Sequence, residues 1–345
     1  MVKEIMDELR QKINRELEEC LENIKVPKQG QSLINDIKEF TLRGGKRIRA
    51  ILVVYGYKAY GGKDEKEILK AACAVELMQS FLLIHDDIID CDELRRGKPT
   101  LHKIYEKRNA HVDNNEKLGR DIAIIAGDIA SVLGQKIIQD TSFPDKIKLN
   151  AVRVFNEAII NTCIGQSMDI YSNYKDVSEA EITAIHRLKT AQYTLEAPLV
   201  LGAVFSGASE KEIEKLKSFA TPMGEAFQLQ DDIIGLYGDE KRTGKPIGSD
   251  LREGKRTLLI TKALEKAYEE DKKFLKKALG NNELSQQEIL RARRIVEETG
   301  SLEYSKEKAG ELLKKAEDKL DELEIEDEAK LFFRGVAEYM KRREY

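Results

Sequence analysis

The sequence predicts an all-α protein. Ala, Leu, Ile, Glu and Lys dominate the composition, and these residues favour helices. Only 6 prolines and no glycine- and serine-rich linker interrupt the 345 residues, which could form one large domain or two ordinary ones. Apolar residues also recur at the three- and four-residue spacing of a helix face. Together these features favour a helical bundle over a protein that contains sheets.

The first half of the chain divides into helices at its glycine and proline breaks. An amphipathic helix over 3–24 ends at the VPKQGQ turn, and a second helix covers 32–42. Two more are expected over 48–60 and 68–90. The polar stretch 106–121 is loop-like, and we interpret it as an exposed insertion.

The second half continues in the same way. A buried helix is expected over 122–138, with Asp128 capping or paired inside the core, and another over 147–171. A helix over 179–205 contains Pro198, which should kink it. The C-terminal part of the chain pairs Glu with Lys four residues apart, so its helices are predicted to present a solvated face.

Charge and apolar content exclude several classes of function. The net charge of −4 supplies no field that would recruit nucleic acid. No apolar run approaches the ~18 residues of a transmembrane segment, and the acidic, amphipathic N-terminus is unlike a signal peptide. The four cysteines lack metal-binding or disulfide spacing, so we expect free thiols and a cytoplasmic protein.

The stretch LLIHDDIIDCDELRRGKPT carries the strongest chemical signal. Asp86, Asp87 and Asp90 end an apolar run, and Arg95 and Arg96 follow. Asp86 and Asp90 share one helix face, where like charges repel by ~0.2–0.5 kcal/mol per pair. A cation should therefore bind there. Carboxylates without Cys or His partners suit Mg²⁺, which is bound together with substrate phosphates.

A second acidic stretch, FQLQDDIIGLYGDEKRTGKPIGSD, repeats this arrangement with Asp231 and Asp232. Gly235 stands where the first motif has its third aspartate. A solvated helix end would explain one such pair, but two pairs, each followed by a basic segment with glycines, favour a functional role. The segment that follows, with Lys245 and Lys255, is expected to form a flexible cationic loop that closes over a phosphate group.

Two further groups of polar residues lie in helical or glycine-rich contexts. RGGKRIRA places Lys46, Arg47 and Arg49 after a glycine pair that opens a helix, which predicts an anion site or a solvated basic turn. Gln166 and Asp169 share one face of an apolar helix and should point into a polar cavity or be satisfied core residues. Lys189, on the next helix, needs an anionic partner if it is buried.

These residues favour chemistry on a diphosphate. A P-loop is absent and no nucleophile–base pair has local support, which argues against nucleotide phosphoryl transfer and covalent hydrolysis. A diphosphate leaving group held by Mg²⁺ between two facing acidic motifs fits, with Lys and Arg neutralising the remaining charge. An apolar pocket would then exclude water from the cation left behind.

Six motifs occur in order along the chain: GGKRIR, DDIID with LRRGKPT, GQSMD, LKT, FQLQDD and TGKPIGSD. In these motifs the sequence resembles the trans-isoprenyl diphosphate synthases, and most closely the archaeal-type short-chain geranylgeranyl and farnesyl diphosphate synthases. The resemblance implies a single domain over 1–345 that forms an isoprenoid-synthase-type helical bundle around a central cavity, a homodimer, and several Mg²⁺ ions per site. It also implies ionisation of an allylic diphosphate, attack by isopentenyl diphosphate, and proton loss to the released pyrophosphate.

The resemblance also implies a role for each motif residue. The isopentenyl diphosphate would contact Lys46, Arg49, Gln79 and Arg96. The allylic diphosphate would contact Arg95, Lys189, Lys245 and Lys255. Thr190 and Gln228 would stabilise the cation through their dipoles, and with Lys189, Asp86 and Asp231 they would form the catalytic set. The Mg²⁺ ligands would be Asp86, Asp90 and Asp231, with Asp87 and Asp232 beside them.

Product length would depend on residues just before the first acidic motif. Phe81, five residues before Asp86, resembles the residue that forms the pocket floor in short-chain members of the family. Met78 and Leu82 leave this pocket less blocked than two aromatic residues would. We therefore expect a C20 product, geranylgeranyl diphosphate, with C15 and C25 open.

Two other functions stay open on the sequence alone. A class I terpene cyclase also carries an aspartate-rich motif on a helical fold, although it needs no isopentenyl diphosphate site. A non-catalytic regulatory subunit of a prenyl synthase would share the fold as well. Loss of an aspartate or of the arginine pair would indicate such a subunit.

Overall fold

The computed structural model describes residues 2–238 and 248–341. Within them the only strands are the two-residue pair Leu94–Arg95 and Lys98–Pro99, and helices make up nearly all other regular structure. The prediction of an all-α protein is confirmed. Its physical basis is the composition, since straight-chain residues and alanine lose little side-chain freedom in a helix.

The chain divides into two compact units, and the first comprises Met1–Asn156 with Pro198–Ser209. The single domain expected over 1–345 stays a prediction. The helices of the first unit are α1 (Val2–Glu22), α2 (Gln31–Leu42), α3 (Ile48–Ala59), α4 (Glu65–Ile89), α5 (Leu101–Arg108), α6 (Asn115–Gln139), the first part of α7 (Asp145–Ser172), and α9 (Ala197–Ser206).

Helix α4 is the core helix of the first unit. Helices α1, α2, α3 and α6 pack against it, and Leu77 and Met78 are fully buried. Contrary to the expectation from sequence, α4 is long and apolar enough to cross a membrane. However, 72% of its apolar 18-residue stretch is buried inside the protein. A helix that is apolar on every side and covered by other helices is a core helix.

The loop insertion predicted over 106–121 is wrong. Helix α5 extends through Arg108 and α6 begins at Asn115, so a short turn separates two helices that pack together. A side chain at Gly119 would collide with the His102 carbonyl, which shows how closely they approach. The polar residues of this stretch form outward helix faces, and polarity alone cannot distinguish such faces from a loop.

The helix over 122–138 is present as part of α6, but it is not buried throughout. Asp128, predicted to lie in the core, has a side chain that is 64% exposed. It lies on an outward face with Ile125 and Val132, which are 52% and 63% exposed. The continuous apolar run therefore contains both a core face and an exposed apolar stripe.

The second compact unit comprises Glu157–Ala197 and Glu210–Tyr345. Helix α10 (Glu210–Tyr237) is at its centre. It packs against a π-helical segment (His186–Glu196), against α12 (Leu258–Lys266) and against α15 (Ser301–Asp321). After the end of α7, the described elements are α8 (Glu179–Ile185), the π-helical segment (His186–Glu196), α10 (Glu210–Tyr237), α11 (Ser249–Arg252), α12 (Leu258–Lys266), α13 (Glu269–Ala278), α14 (Gln286–Glu298), α15 (Ser301–Asp321) and α16 (Asp327–Lys341).

The helix predicted over 179–205 changes its hydrogen bonding along its length. Helix α8 starts with a capping box between Ser178 and Glu181, and π-helical turns then run from His186 to Glu196. Pro198 cannot donate a backbone hydrogen bond, and its ring crowds the carbonyl one α-helical turn before it. The π-helical turns begin twelve residues before Pro198, too far away for the proline ring to cause them. Such π turns are frequent at functional sites.

Candidate active site

The first acidic motif lies at the C-terminal end of α4. Asp86 and Asp90 are half-buried, whereas Asp87 is only 1% exposed. Arg95 Nε donates to Asp87 Oδ1 at 2.6 Å, and Arg95 Nη2 donates to Asp92 Oδ2 at 3.1 Å. The same Nη2 lies 3.7 Å from Asp86 Oδ2. Three carboxylates therefore surround one guanidinium group.

Asp87 has an unusual environment for a carboxylate. Burial raises the pKa of Asp87 to about 7, against the opposing effect of Arg95. Its Oδ2 atom is buried and has no hydrogen-bond partner in the part of the chain that the structure describes. An unsatisfied buried oxygen costs free energy, so this end of α4 is suited to receive a cation or a hydrogen-bond donor.

The donor set fits Mg²⁺ if substrate completes the coordination. Among residues 2–238 and 248–341, no group of three or more His, Cys, Asp or Glu is arranged to hold a metal unaided. Mg²⁺ is usually bound through one or two carboxylates together with substrate phosphates. Asp86 and Asp90, one helical turn apart, supply such a pair.

A tight hairpin brings the arginine pair to its contacts. Leu94 pairs with Pro99 and Arg95 with Lys98. Both residues at the turn have positive φ, 55° at Arg96 and 73° at Gly97, as in a type I′ turn. Arg95 reaches the acidic motif, and Arg96 Nη1 donates to the carbonyl of Gly44 in the glycine pair. The structure therefore joins the GGKRIR and LRRGKPT motifs.

The three basic residues after the glycine pair have different environments. Lys46 is exposed and Arg49 is half-buried. The side chain of Arg47 is 2% exposed, and its Nη1 lies 2.9 Å from Glu76 Oε2, which is equally buried at 1%. Arg47 Nε also donates to Asn14 Oδ1 at 2.8 Å. Arg47, predicted with Lys46 and Arg49 to form an anion site, is therefore a structural residue, and the anion site stays a prediction for Lys46 and Arg49.

The second acidic motif lies on α10 and resembles the first in its exposure. Asp231 is exposed, whereas Asp232 is buried. Gln228 Nε2 donates to Asp232 Oδ1 at 2.7 Å, and His186 Nε2 lies 3.0 Å from Asp232 Oδ2. In each motif, then, the first aspartate is the more accessible, and the second is buried against a side chain that holds it.

The π-helical segment positions Lys189 and Thr190, both half-buried. Lys189 Nζ donates to Asp169 Oδ2 on α7 at 2.5 Å, so the lysine has the anionic partner that its partial burial requires. A side chain at Gly165 would collide with the Lys189 backbone nitrogen. The glycine of GQSMD therefore lets α7 approach closely enough for Asp169 to reach Lys189, while Gln166 is half-buried nearby on the same helix.

The residues predicted to limit product length lie on α4 before the first motif. Met78 is fully buried and Phe81 is buried, while Leu82 and Gln79 are half-buried. The Phe81 ring makes an edge contact with the His85 ring, with centroids 4.9 Å apart. The position of Phe81 is thus fixed by a second aromatic side chain on the same helix.

Of the cationic loop, Lys255 is described and Lys245 lies outside the described residues. Lys255 Nζ is paired with Glu253 and lies 3.6 Å from Asp250 Oδ1. Two residues of the site had no signal in the sequence analysis: Glu76 and His186. Each contacts a residue distant along the chain, so local spacing could not have found it.

The chain is similar in sequence to known proteins. A family model for polyprenyl synthetase matches residues 31–296. The chain is 39% identical over 300 residues to a short chain isoprenyl diphosphate synthase of Methanocaldococcus jannaschii, with 86% of this chain and 83% of that protein covered. A geranylgeranyl diphosphate synthase of Sulfolobus acidocaldarius is 35% identical over 283 residues, with 81% of each covered.

A solved structure shares the fold over nearly the whole chain. It is a geranylgeranyl pyrophosphate synthase from Corynebacterium glutamicum, complexed with isoprenyl diphosphate and magnesium. Its TM-score is 0.91 at 30% sequence identity, with 98% of this chain and 99% of that chain covered. The family match, the fold and the two acidic motifs lead to one conclusion: this chain belongs to the polyprenyl synthetase family.

Proposed function

We propose that this chain condenses isopentenyl diphosphate with allylic diphosphates and forms mainly geranylgeranyl diphosphate. The observation that carries the proposal is the repeated acidic motif, an accessible aspartate followed by a buried one, on α4 and on α10. Arg95 pairs with the first motif, and Lys255 lies 3.6 Å from Asp250, whose carboxylate approaches Gly235 of the second motif. A diphosphate leaving group requires carboxylates that bind a metal ion and, beside them, cationic side chains that bind phosphate.

In this proposal the acidic motifs and three basic residues hold the allylic diphosphate. Asp86, Asp90 and Asp231 would be the Mg²⁺ ligands, with Asp87 and Asp232 behind them. When bound, Mg²⁺ would act as a Lewis acid that stabilises negative charge on the departing oxygen. Arg95, Lys189 and Lys255 would neutralise the charge that remains, and Lys245 would join them from outside the described residues.

The isopentenyl diphosphate would bind at the glycine pair in the first unit. Lys46 and Arg49 lie at the start of α3, and Arg96 reaches the same glycine pair through the Gly44 carbonyl. Gln79 of α4 would complete this set. Arginine and lysine side chains beside exposed backbone N–H groups suit a second diphosphate that needs no acidic motif.

The remaining proposed roles concern the cation that ionisation leaves behind. Thr190 and Gln228 would orient their oxygen atoms toward it. Gln228 fits this role because its amide nitrogen already donates to Asp232, so its carbonyl oxygen is directed elsewhere. The proton lost after carbon–carbon bond formation would pass to the released pyrophosphate.

We also propose that the protein is a cytoplasmic homodimer. The support for the dimer is the exposed apolar stripe of α6, in which Ile124, Ile125 and Val132 are 43%, 52% and 63% exposed. Apolar side chains at this helical spacing are typical of a face that packs against another helix.

Product analysis tests the proposed activity. The protein would be incubated with labelled isopentenyl diphosphate, Mg²⁺, and dimethylallyl, geranyl or farnesyl diphosphate in turn. We expect linear products of mainly C20, and no product when the metal is chelated. A cyclised hydrocarbon formed without consumption of isopentenyl diphosphate would indicate a terpene cyclase, and no condensation with any primer would leave only a regulatory subunit. The family match favours neither alternative.

A further inference from the structure

The two acidic motifs, DDIID and DDIIG, differ only at their fifth position. The first motif has Asp90 there and the second has Gly235, one helical turn after Asp231. Glycine inside a helix is about 1 kcal/mol less favourable than alanine. A glycine at this position of α10 therefore needs a structural reason.

The reason is a carboxylate from another element. A Cβ atom at Gly235 would overlap the carboxylate of Asp250, which belongs to the short helix α11. The side chain of Asp250 is only 17% exposed. It therefore occupies the space that an aspartate at position 235 would fill, on the same face of α10 as Asp231.

Asp250 also contacts a cation. Lys255 Nζ lies 3.6 Å from Asp250 Oδ1, and the Lys255 backbone N–H donates to the Asp250 carbonyl at 2.9 Å. One carboxylate thus joins the acidic face of α10 to the lysine assigned to the allylic diphosphate. Asp250 ends the TGKPIGSD motif, fifteen residues after Gly235, so the spacing within either motif does not by itself predict this link.

We infer that Asp250 supplies, from α11, the third carboxylate of the second acidic motif, and that it positions Lys255 for the diphosphate. Asp231 and Asp250 then form the counterpart of Asp86 and Asp90. This inference rests on the proposed function, since it assigns Asp250 to the Mg²⁺ and diphosphate that the motif would bind.

Binding measured without turnover tests the inference. Calorimetry would give the affinity for inorganic pyrophosphate with and without Mg²⁺, and a melting curve would show that each variant is folded. We expect Asp250→Ala and Asp250→Asn to weaken Mg²⁺-dependent binding by about 10- to 100-fold, the usual loss at a metal site. Asp271→Asn is the matched control, because Asp271 is a partly buried carboxylate of the same unit that pairs with Arg291 and lies outside both motifs, and it should retain the affinity.

Moving the carboxylate from position 250 to position 235 tests the inference by a recovery of binding as well as by a loss. Gly235→Asp alone should lower both affinity and melting temperature, because two carboxylates would compete for one space. The double variant Gly235→Asp/Asp250→Ala should bind Mg²⁺ and pyrophosphate more tightly than Asp250→Ala alone. Unchanged binding in Asp250→Asn, or no recovery in the folded double variant, would overturn the inference.

The two proposals fail in different ways. If the native protein condenses isopentenyl diphosphate but Asp250→Asn binds Mg²⁺-pyrophosphate normally, the role of Asp250 is wrong and the proposed function stands. If the native protein forms no prenyl product, the proposed function fails, and the role inferred for Asp250 fails with it.

Discussion

At the scale of single residues, burial separates neighbours that look alike in sequence. Lys46 and Arg47 are adjacent basic residues of the same motif, but only Arg47 is buried, where it is paired with Glu76. Breaking a buried ion pair leaves the other charge without a partner, which costs far more than removing an exposed charge. The same motif thus combines a residue for stability with residues for binding.

This difference yields the first prediction. Arg47→Met should lower the free energy of unfolding by about 3–5 kcal/mol, because Glu76 keeps a buried charge. The double variant Arg47→Met/Glu76→Leu should be more stable than Arg47→Met alone. Urea denaturation measures both changes.

Lys46→Met is the matched control for that experiment. Its unfolding free energy should change by no more than about 0.5 kcal/mol, because the side chain is exposed. Its KM for isopentenyl diphosphate should rise instead. A stability loss in Lys46→Met as large as that of Arg47→Met would contradict the division of roles.

A second prediction concerns Phe81. Phe81→Ala should lengthen the product, because removal of the ring opens space along α4 beyond the first acidic motif. Ile68→Ala, which truncates another buried residue of the same helix away from the motif, should lower stability and leave the product length unchanged. Chromatography of the products from both variants gives the answer, and unchanged length in Phe81→Ala would show that the floor lies elsewhere.

At the scale of elements, the helix ends determine where site residues lie. Helix α8 leads directly into the π-helical segment that carries Lys189, and its start is set by the capping box of Ser178 and Glu181. Hydrogen bonds from Lys175 and from Ser178 lower the pKa of Glu181 to about 2 from its ordinary 4.5. A carboxyl with a lowered pKa stabilises the fold above its unfolded pKa and loses this effect as the pH falls through the folded value.

The third prediction follows from this cap. Ser178→Ala should lower stability by about 1 kcal/mol, the usual value of an N-cap hydroxyl. The loss of stability as the pH falls from 4.5 toward 2 should also be smaller in the variant, since Glu181 then lacks one of its donors. Melting temperatures measured across this pH range test both parts. An unaltered melting temperature at neutral pH would show that the cap does not stabilise α8.

Most helices could be predicted from local pattern, but three features could not. The polar composition of residues 106–121 predicted a loop, because an outward helix face and a loop have the same composition. The π-helical turns before Pro198 depend on how the segment packs, and α7 approaches it at Gly165. The acidic motifs could be recognised from the sequence, because aspartates are rare in an otherwise apolar helix. Glu76, which pairs with Arg47, and His186, which contacts Asp232, could not be recognised, since their partners lie far away in sequence.

At the scale of the whole molecule, the exposed apolar stripe of α6 supports the proposed dimer. A fourth prediction is that Val132→Lys shifts the protein from dimer to monomer, because a lysine in an apolar interface would be desolvated without a partner. Leu331→Lys on α16, which replaces an apolar residue that is 51% exposed, should leave the mass unchanged. Analytical ultracentrifugation reports the mass, and a native mass in Val132→Lys would rule out this face as the interface.

The central claim is that the motifs on α4 and α10 act on the same metal-bound diphosphate. A double-mutant cycle with Asp86→Ala, Asp231→Ala and the double variant tests it most directly, with Mg²⁺-dependent pyrophosphate affinity measured by calorimetry. If the two carboxylates share ions, the losses will be strongly non-additive, and the double variant will bind about as weakly as either single variant. Losses in binding free energy that add to within about 0.5 kcal/mol, as for independent sites, would contradict the account.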